Sequence, residues 1–159
     1  MSGKIKSGKG ALIGNAGEYY VVAELLKRDV IAALAPRNAP AFDILATFKG
    51  KTVCIRVKTK SEAYDMWQWN AKSDGSIFRD LRTKGDFTIL VNLTRETKDL
   101  QFFIVPTIRL DRWLKRDFRR WVTTPGKKGQ QRNPANKKRH LPYSRYEKDL
   151  DTNWNVLWK

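Results

Sequence analysis

Phe42-Asp43-Ile44-Leu45 and, after a short break, Val53-Cys54-Ile55-Arg56-Val57-Lys58 place a carboxylate and a lysine on two neighbouring apolar segments. Residues 52–58 alternate. Val53, Ile55 and Val57 fall on one side and Thr52, Cys54, Arg56 and Lys58 on the other, the period of a half-buried strand. Arg56 and Lys58 therefore point the same way. Between the segments, Phe48-Lys49-Gly50-Lys51 supplies a glycine-containing turn, so a β-hairpin brings Asp43 beside the Arg56/Lys58 face. Taken singly, Asp43 also reads as a solvated strand-end carboxylate and Lys58 as an exposed lysine closing a strand.

Working outward, Asn15-Ala16-Gly17-Glu18 has the form of a capping box, and Tyr19, Val22, Ala23 and Leu26 follow at i, i+3, i+4 and i+7, predicting an amphipathic helix. Lys27 and Arg28 suit its C-terminus, and Asp29 tolerates the left-handed turn that would end it. Glu18 has two readings. It either satisfies a backbone N–H as part of the cap or, lying on the side of Val22 and Leu25, faces the sheet and joins Asp43. Val30 to Ala35 then reads as a first strand, with a turn over Pro36 to Pro40.

A helix with an early Glu, a strand, an Asp on the next strand and a Val-Lys-Thr strand end resembles the PD-(D/E)XK phosphodiesterase superfamily. Gly17-Glu18-Tyr19, Phe42-Asp43-Ile44 and Ile55-Arg56-Val57-Lys58-Thr59 are similar to the branch whose last motif reads I-Q-V-K-T. The resemblance covers residues 14–60 well and 86–106 loosely. It implies an α/β restriction-endonuclease-like fold, with an αβββαβ core and a mixed central sheet flanked by helices. The implied activity is metal-dependent hydrolysis of DNA phosphodiester bonds by an endonuclease. Glu18, Asp43 and Lys58 would be catalytic, Glu18 and Asp43 holding Mg²⁺ (or Mn²⁺) and Lys58 orienting the attacking water and steadying phosphate charge. Arg56 departs from the pattern, because a guanidinium cannot ligate a metal. At about 5 Å it would repel a divalent ion by about 2 kcal/mol in a water-like dielectric and about 7 kcal/mol at an effective value near 20. An outward swing of its head onto a DNA phosphate would spare the metal. Two other readings stay open: a nuclease-fold protein that only binds nucleic acid, and an architectural ribosomal or RNA-packaging protein.

The charge balance points to the same class of partner. In 159 residues, 32 Lys and Arg stand against 16 Asp and Glu, a formal +16, which concentrates polyanions around the chain. DNA is the expected partner, with RNA open and a homodimer compatible with cutting both strands of a duplex. No segment joins a lysine-rich face to a long apolar one, so no membrane partner is expected. The polar start and the brief apolar run Gly10-Ala11-Leu12-Ile13 show no signal peptide or membrane span, and a cytoplasmic location is expected. Cys54, the one cysteine, excludes an intramolecular disulfide and reads as a buried inert thiol. His140, the one histidine, sits among cations and reads as a solvent or phosphate contact.

Further on, Trp67-Gln68-Trp69 alternates as a short strand, its tryptophans covering a sheet or stacking on bases. Residues 71–85 read as a polar loop with one helical turn near Ile77 to Leu81. Phe87 to Leu93 and Leu100 to Val105 predict a hairpin that extends the sheet. From Ile108 to Val122, Ile108, Leu110, Trp113, Leu114, Phe118, Trp121 and Val122 recur at helical spacing, while Arg109, Arg112, Lys115, Arg116, Arg119 and Arg120 fill the other face. Residues 123–142 carry Lys127, Lys128, Arg132, Lys137, Lys138 and Arg139 among prolines and glycines with no acid, and predict a mobile basic loop along a nucleic-acid backbone. The expected organisation is a basic arm over 1–13, a nuclease-like domain over 14–122, the basic loop over 123–142, and a C-terminal segment over 143–159 whose apolar end, Trp154 to Trp158, docks on the domain or on a second copy.

Overall fold

The alternation at residues 52–58 is the middle of an eleven-residue strand. The computed structural model describes residues 9–36, 39, 41–94 and 96–159. The strand β3 (Lys51–Ser61) is joined to β2 (Ile44–Phe48) by a tight turn in which Lys49 (φ 47°) and Gly50 (φ 78°) are both left-handed, the backbone of a two-residue hairpin loop. Antiparallel pairing runs from Phe48↔Lys51 to Ile44↔Ile55. Outside β2 lies the short edge strand β1 (Ile31–Leu34), again antiparallel. On its other side β3 pairs in parallel with β5 (Asp86–Leu93), and β6 (Gln101–Pro106) closes the sheet antiparallel to β5. The result is a mixed five-stranded sheet ordered β1-β2-β3-β5-β6.

Parallel neighbours require a crossover. Here it consists of β4 (Met66–Asn70) and the loop 71–85, in which the expected helical turn near Ile77 to Leu81 is absent. The second long helix, α2 (Thr107–Thr123), instead follows β6. β4 pairs with β7 (Lys138–Pro142) in a separate two-stranded ribbon. Trp67, at 1% exposure, is a core side chain whose indole N–H donates to the Val91 carbonyl at 3.1 Å, so it is not a base-stacking surface.

Two cores sandwich the sheet. One face carries Ile44, Ala46, Val53, Ile55, Ile89, Val91 and Ile104 under the helix α1 (Lys9–Leu26). The other carries Leu90, Phe103 and Val105 under α2, together with Trp67, Leu141 and Tyr146. Thus Val53, Ile55 and Val57 face α1, as their alternation requires.

Helix α1 differs from its sequence reading in start and in face. It begins at Lys9, so Asn15 and Glu18 lie inside it and form no capping box, and residues 9–13 belong to the helix rather than to an arm. Residues 1–8 of that arm lie outside the described residues. The buried side is Gly17, Val21 and Leu25, whereas Tyr19 and Leu26 are 65% and 54% exposed. Gly17 is required by packing: a Cβ there would stand 1.9 Å from the Thr59 hydroxyl, so only glycine lets the helix lie this close to β3. Asp29 ends the helix in the left-handed conformation (φ 59°).

The stretch 123–142 is also more structured than its composition predicts. Its last five residues form β7, and Leu141 is fully buried. The segment beyond it forms α3 (Tyr143–Tyr146) and a terminal 3₁₀ turn, Trp154–Trp158. Leu157 enters the α1-side core, Trp158 meets Phe48, and Trp154 meets Phe102.

Candidate active site

Asp43 sits where the sheet begins to split. It precedes β2 by one residue, its N–H donates to the Ile55 carbonyl at 2.9 Å, and its own carbonyl accepts from Ala35 at 2.8 Å. Beyond this point β3 continues without β2, and the N–H of Val57 needs another acceptor. Asp43 Oδ2 supplies it at 2.7 Å. One carboxylate oxygen is thus fixed by the backbone of β3. Burial pushes the Asp43 carboxyl above the ordinary aspartate value, opposed by the Val57 N–H and by the charges of Arg56 and Lys58.

Glu18 and Asp43 line one cavity of about 380 Å³ with Asn15, Tyr19 and Phe42. The close approach at Gly17 sets α1 against β3 and thereby brings Glu18 to this wall. Lys58 lines a second cavity, of about 590 Å³, together with Gly10 and Gly14 of α1 and with Met66, Trp67 and Gln68 of β4. Its ammonium lies 5.6 Å from the Trp69 ring centroid. Burial lowers the Lys58 pKa and the charge of Asp43 opposes that, so Lys58 and Asp43 act on one another by charge.

Arg56 does not swing out to solvent. Its Nε donates to Asp86 Oδ1 at 3.1 Å and its Nη2 to Asp86 Oδ2 at 2.9 Å and to the Arg79 carbonyl at 2.8 Å. The guanidinium also lies 5.5 Å from the Phe78 ring centroid. Both partners are inside, the side chains of Arg56 and Asp86 being 12% and 1% exposed. The expected phosphate clamp is therefore replaced by a buried, bidentate ion pair. Asp86, which also accepts from the Arg82 N–H at 3.2 Å, was missed in the sequence. Its signal was a lone acid at the head of the apolar run Phe87 to Leu93, where a buried carboxylate needs a cation. Cys54 is buried on the same face, with the Arg82 guanidinium 3.7 Å from its sulfur.

The residues present fit a hard divalent cation with an incomplete protein shell. Glu18 and the second oxygen of Asp43 are oxygen donors, and the Arg56 guanidinium, though its charge reaches Asp43, is paired with Asp86. Among the described residues no group of three or more His, Cys, Asp and Glu could hold a metal, so further ligands would come from water and substrate, as suits Mg²⁺. A cavity of about 610 Å³ elsewhere, lined by Tyr20, Glu24, Arg28, Phe102 and Trp154, has no such donor set, because Glu24 is already paired with Lys27 and Arg28.

Of the cations expected at a nucleic-acid interface, Arg112, Lys115, Arg116, Arg119 and Arg120 are exposed on α2, and Lys127, Lys128, Lys137 and Lys138 are exposed after it. Lys115 pairs with Asp111 at 2.8 Å, and Arg116 donates to the Tyr146 hydroxyl at 3.1 Å. Arg132 lies 4.8 Å from the Trp121 centroid. Arg139 is a correction: at 7% exposure it stacks on Phe118, 3.3 Å from the centroid, and donates to the Asn136 carbonyl, so it packs the fold instead of meeting a ligand. His140 meets Gln68 at 3.0 Å.

No family model and no curated protein sequence matches the chain. Among solved structures it is similar to Hjc, a Holliday junction resolvase from Archaeoglobus fulgidus. The two share 16% identity over 92% of this chain and 96% of that one, with a TM-score of 0.51. A bacterial homing endonuclease, I-Ssp6803I, is 18% identical over 66% of this chain and 69% of that one, with a TM-score of 0.43. With its mixed sheet held between α1 and α2 and a likeness to the resolvase along nearly the whole of both chains, this protein has the restriction-endonuclease-like fold.

Proposed function

We propose that this chain is a metal-dependent endonuclease that hydrolyses DNA phosphodiester bonds as a member of the PD-(D/E)XK superfamily. The observation that carries the reading is the meeting of Glu18 and Asp43 on one cavity, with Lys58 coupled by charge to Asp43. In this reading Glu18 and Asp43 hold Mg²⁺ or Mn²⁺, which when bound supplies Lewis-acid activation of the phosphate and of the attacking water. The Val57 N–H keeps the Asp43 carboxylate in one orientation. Lys58 orients the water and offsets the charge that builds on the phosphate, its ammonium partly stripped of solvent so that its field is little screened. Exposed cations on α2 and after it hold the DNA backbone.

The test is a plasmid-nicking assay with Mg²⁺, Mn²⁺ or EDTA, run beside linear duplex, four-way junction and RNA substrates. Metal-dependent cleavage is expected, reduced about 100-fold or more in Lys58→Ala, the scale of losing one preorganised charge at a transition state. Unchanged cleavage in that variant would sink the assignment. A second reading, binding without cleavage, is favoured by one observation: the position of the usual Glu or Gln is held by Arg56 and locked to Asp86. It predicts salt-sensitive binding and no cleavage of any of these substrates under any metal.

A further inference from the structure

The ribbon β4–β7 has one face inside and one outside. Trp67, Trp69, Arg139 and Leu141 turn towards the domain, while Met66, Gln68 and Asn70 on β4 and Lys138 and His140 on β7 are exposed. The pairing Gln68↔His140 and Asn70↔Lys138 gathers these outward side chains into one small array. Its chemistry is unusual for a solvated strand face. There is no acid and no β-branched residue in it, and Asn and Lys are depleted in strands on propensity grounds. What the array does contain is the set that reads base edges in DNA. Asn and Gln bond adenine bidentately, Lys bonds guanine, and an apolar group such as Met66, 40% exposed, can meet a thymine methyl.

Position supports the same partner. Met66 and Gln68 line the cavity that holds Lys58, so the array begins at the wall of the candidate active site. Trp69 ties the two together from inside, standing under the Lys58 ammonium while paired in register with Arg139. The basic segment with Lys127, Lys128 and Lys137 runs from the end of α2 to the start of β7, and so flanks the ribbon with phosphate-binding charge. A two-stranded ribbon has the width of the major groove of B-DNA.

We infer that the outward face of β4–β7 is a base-reading ribbon that enters the major groove of duplex DNA beside the cleaved phosphate, with Gln68, Asn70 and Lys138 as the specificity-determining residues. The inference rests on the reading of the chain as a protein that acts on DNA. It gives the enzyme a sequence preference, set apart from the phosphate contacts of α2.

The experiment is selection from a randomised duplex library by Asp43→Asn in EDTA, where no cleavage enters. The expected result is a short enriched motif. A second selection with Gln68→Ala, Asn70→Ala and Lys138→Ala combined on the same background should flatten preference at part of that motif by about tenfold or more. Asn70→Arg should move one position from adenine towards guanine, and thermal unfolding checks that each variant is folded. An unchanged motif in the triple variant, or absence of any motif in the parent, would overturn the proposal. Failure of the nuclease reading is distinguishable: a motif selected by a protein whose wild type cuts nothing leaves the ribbon standing and removes the catalysis.

Discussion

Arg56 and Asp86 satisfy one another so fully that neither can be replaced alone without leaving a charge inside the protein. With side chains 12% and 1% exposed, the pair falls in the class where removing one partner costs about 3 kcal/mol or more, although the intact pair adds little net stability. Arg56→Ala and Asp86→Ala are each expected to be strongly destabilised, and the double variant less so than their sum. A denaturant double-mutant cycle measures this, and additive losses would show that the two residues do not depend on each other. Asp43 makes a different prediction. Its folded pKa is raised, so its contribution to stability is greatest when it is protonated and is lost as pH rises through that pKa. Asn keeps an acceptor for the Val57 N–H and carries no charge. Asp43→Asn should therefore melt at or above the wild-type temperature near neutral pH, with the difference closing below about pH 4. Asp43→Ala, which leaves the Val57 N–H unpaired, should lose about 1–3 kcal/mol.

At the scale of elements, α1 is placed by one atom that is missing. Gly17→Ala should cost about 1–3 kcal/mol through overlap with Thr59, and Gly17→Ala/Thr59→Ala should recover most of it in thermal unfolding. This also explains which parts of the fold were legible in the sequence. The strands announced themselves because alternation, a left-handed Lys49-Gly50 turn and an apolar run each have a local cause. The helix start and face did not, because a glycine that packs by absence has no hydrophobic weight, while exposed Tyr19 and Leu26 mimic a buried stripe. β7 was hidden for a related reason: in Lys138–Pro142 a buried arginine takes the place of an apolar residue by stacking on Phe118. The order of Glu18, Asp43 and Lys58 along the chain is plain in the sequence. The partner of Arg56 is not, since Asp86 lies thirty positions away and only parallel pairing of β3 with β5 brings it near.

For the whole molecule, a formal +16 makes salt the controlling variable of the proposed DNA binding. The logarithm of the association constant should fall linearly with the logarithm of salt concentration, with a slope of about −0.9 for each phosphate neutralised on B-DNA. Replacing exposed Arg119 and Arg120 by Ala should reduce the slope by about 2 and weaken all sequences alike, as read by fluorescence anisotropy. Binding that ignores salt would remove DNA as the partner. The clasp of Trp154–Trp158 on the sheet has a further consequence, which concerns time. Leu157 shares a core with Val21 and Leu25 of the first helix, and Lys51 holds the Trp158 carbonyl at 2.7 Å. During synthesis, then, the hydrophobic layer beneath α1 is complete only once the last of these residues has emerged. A nascent chain already carrying Glu18, Asp43 and Lys58 must wait for a tryptophan-rich latch before the ground beneath them is firm.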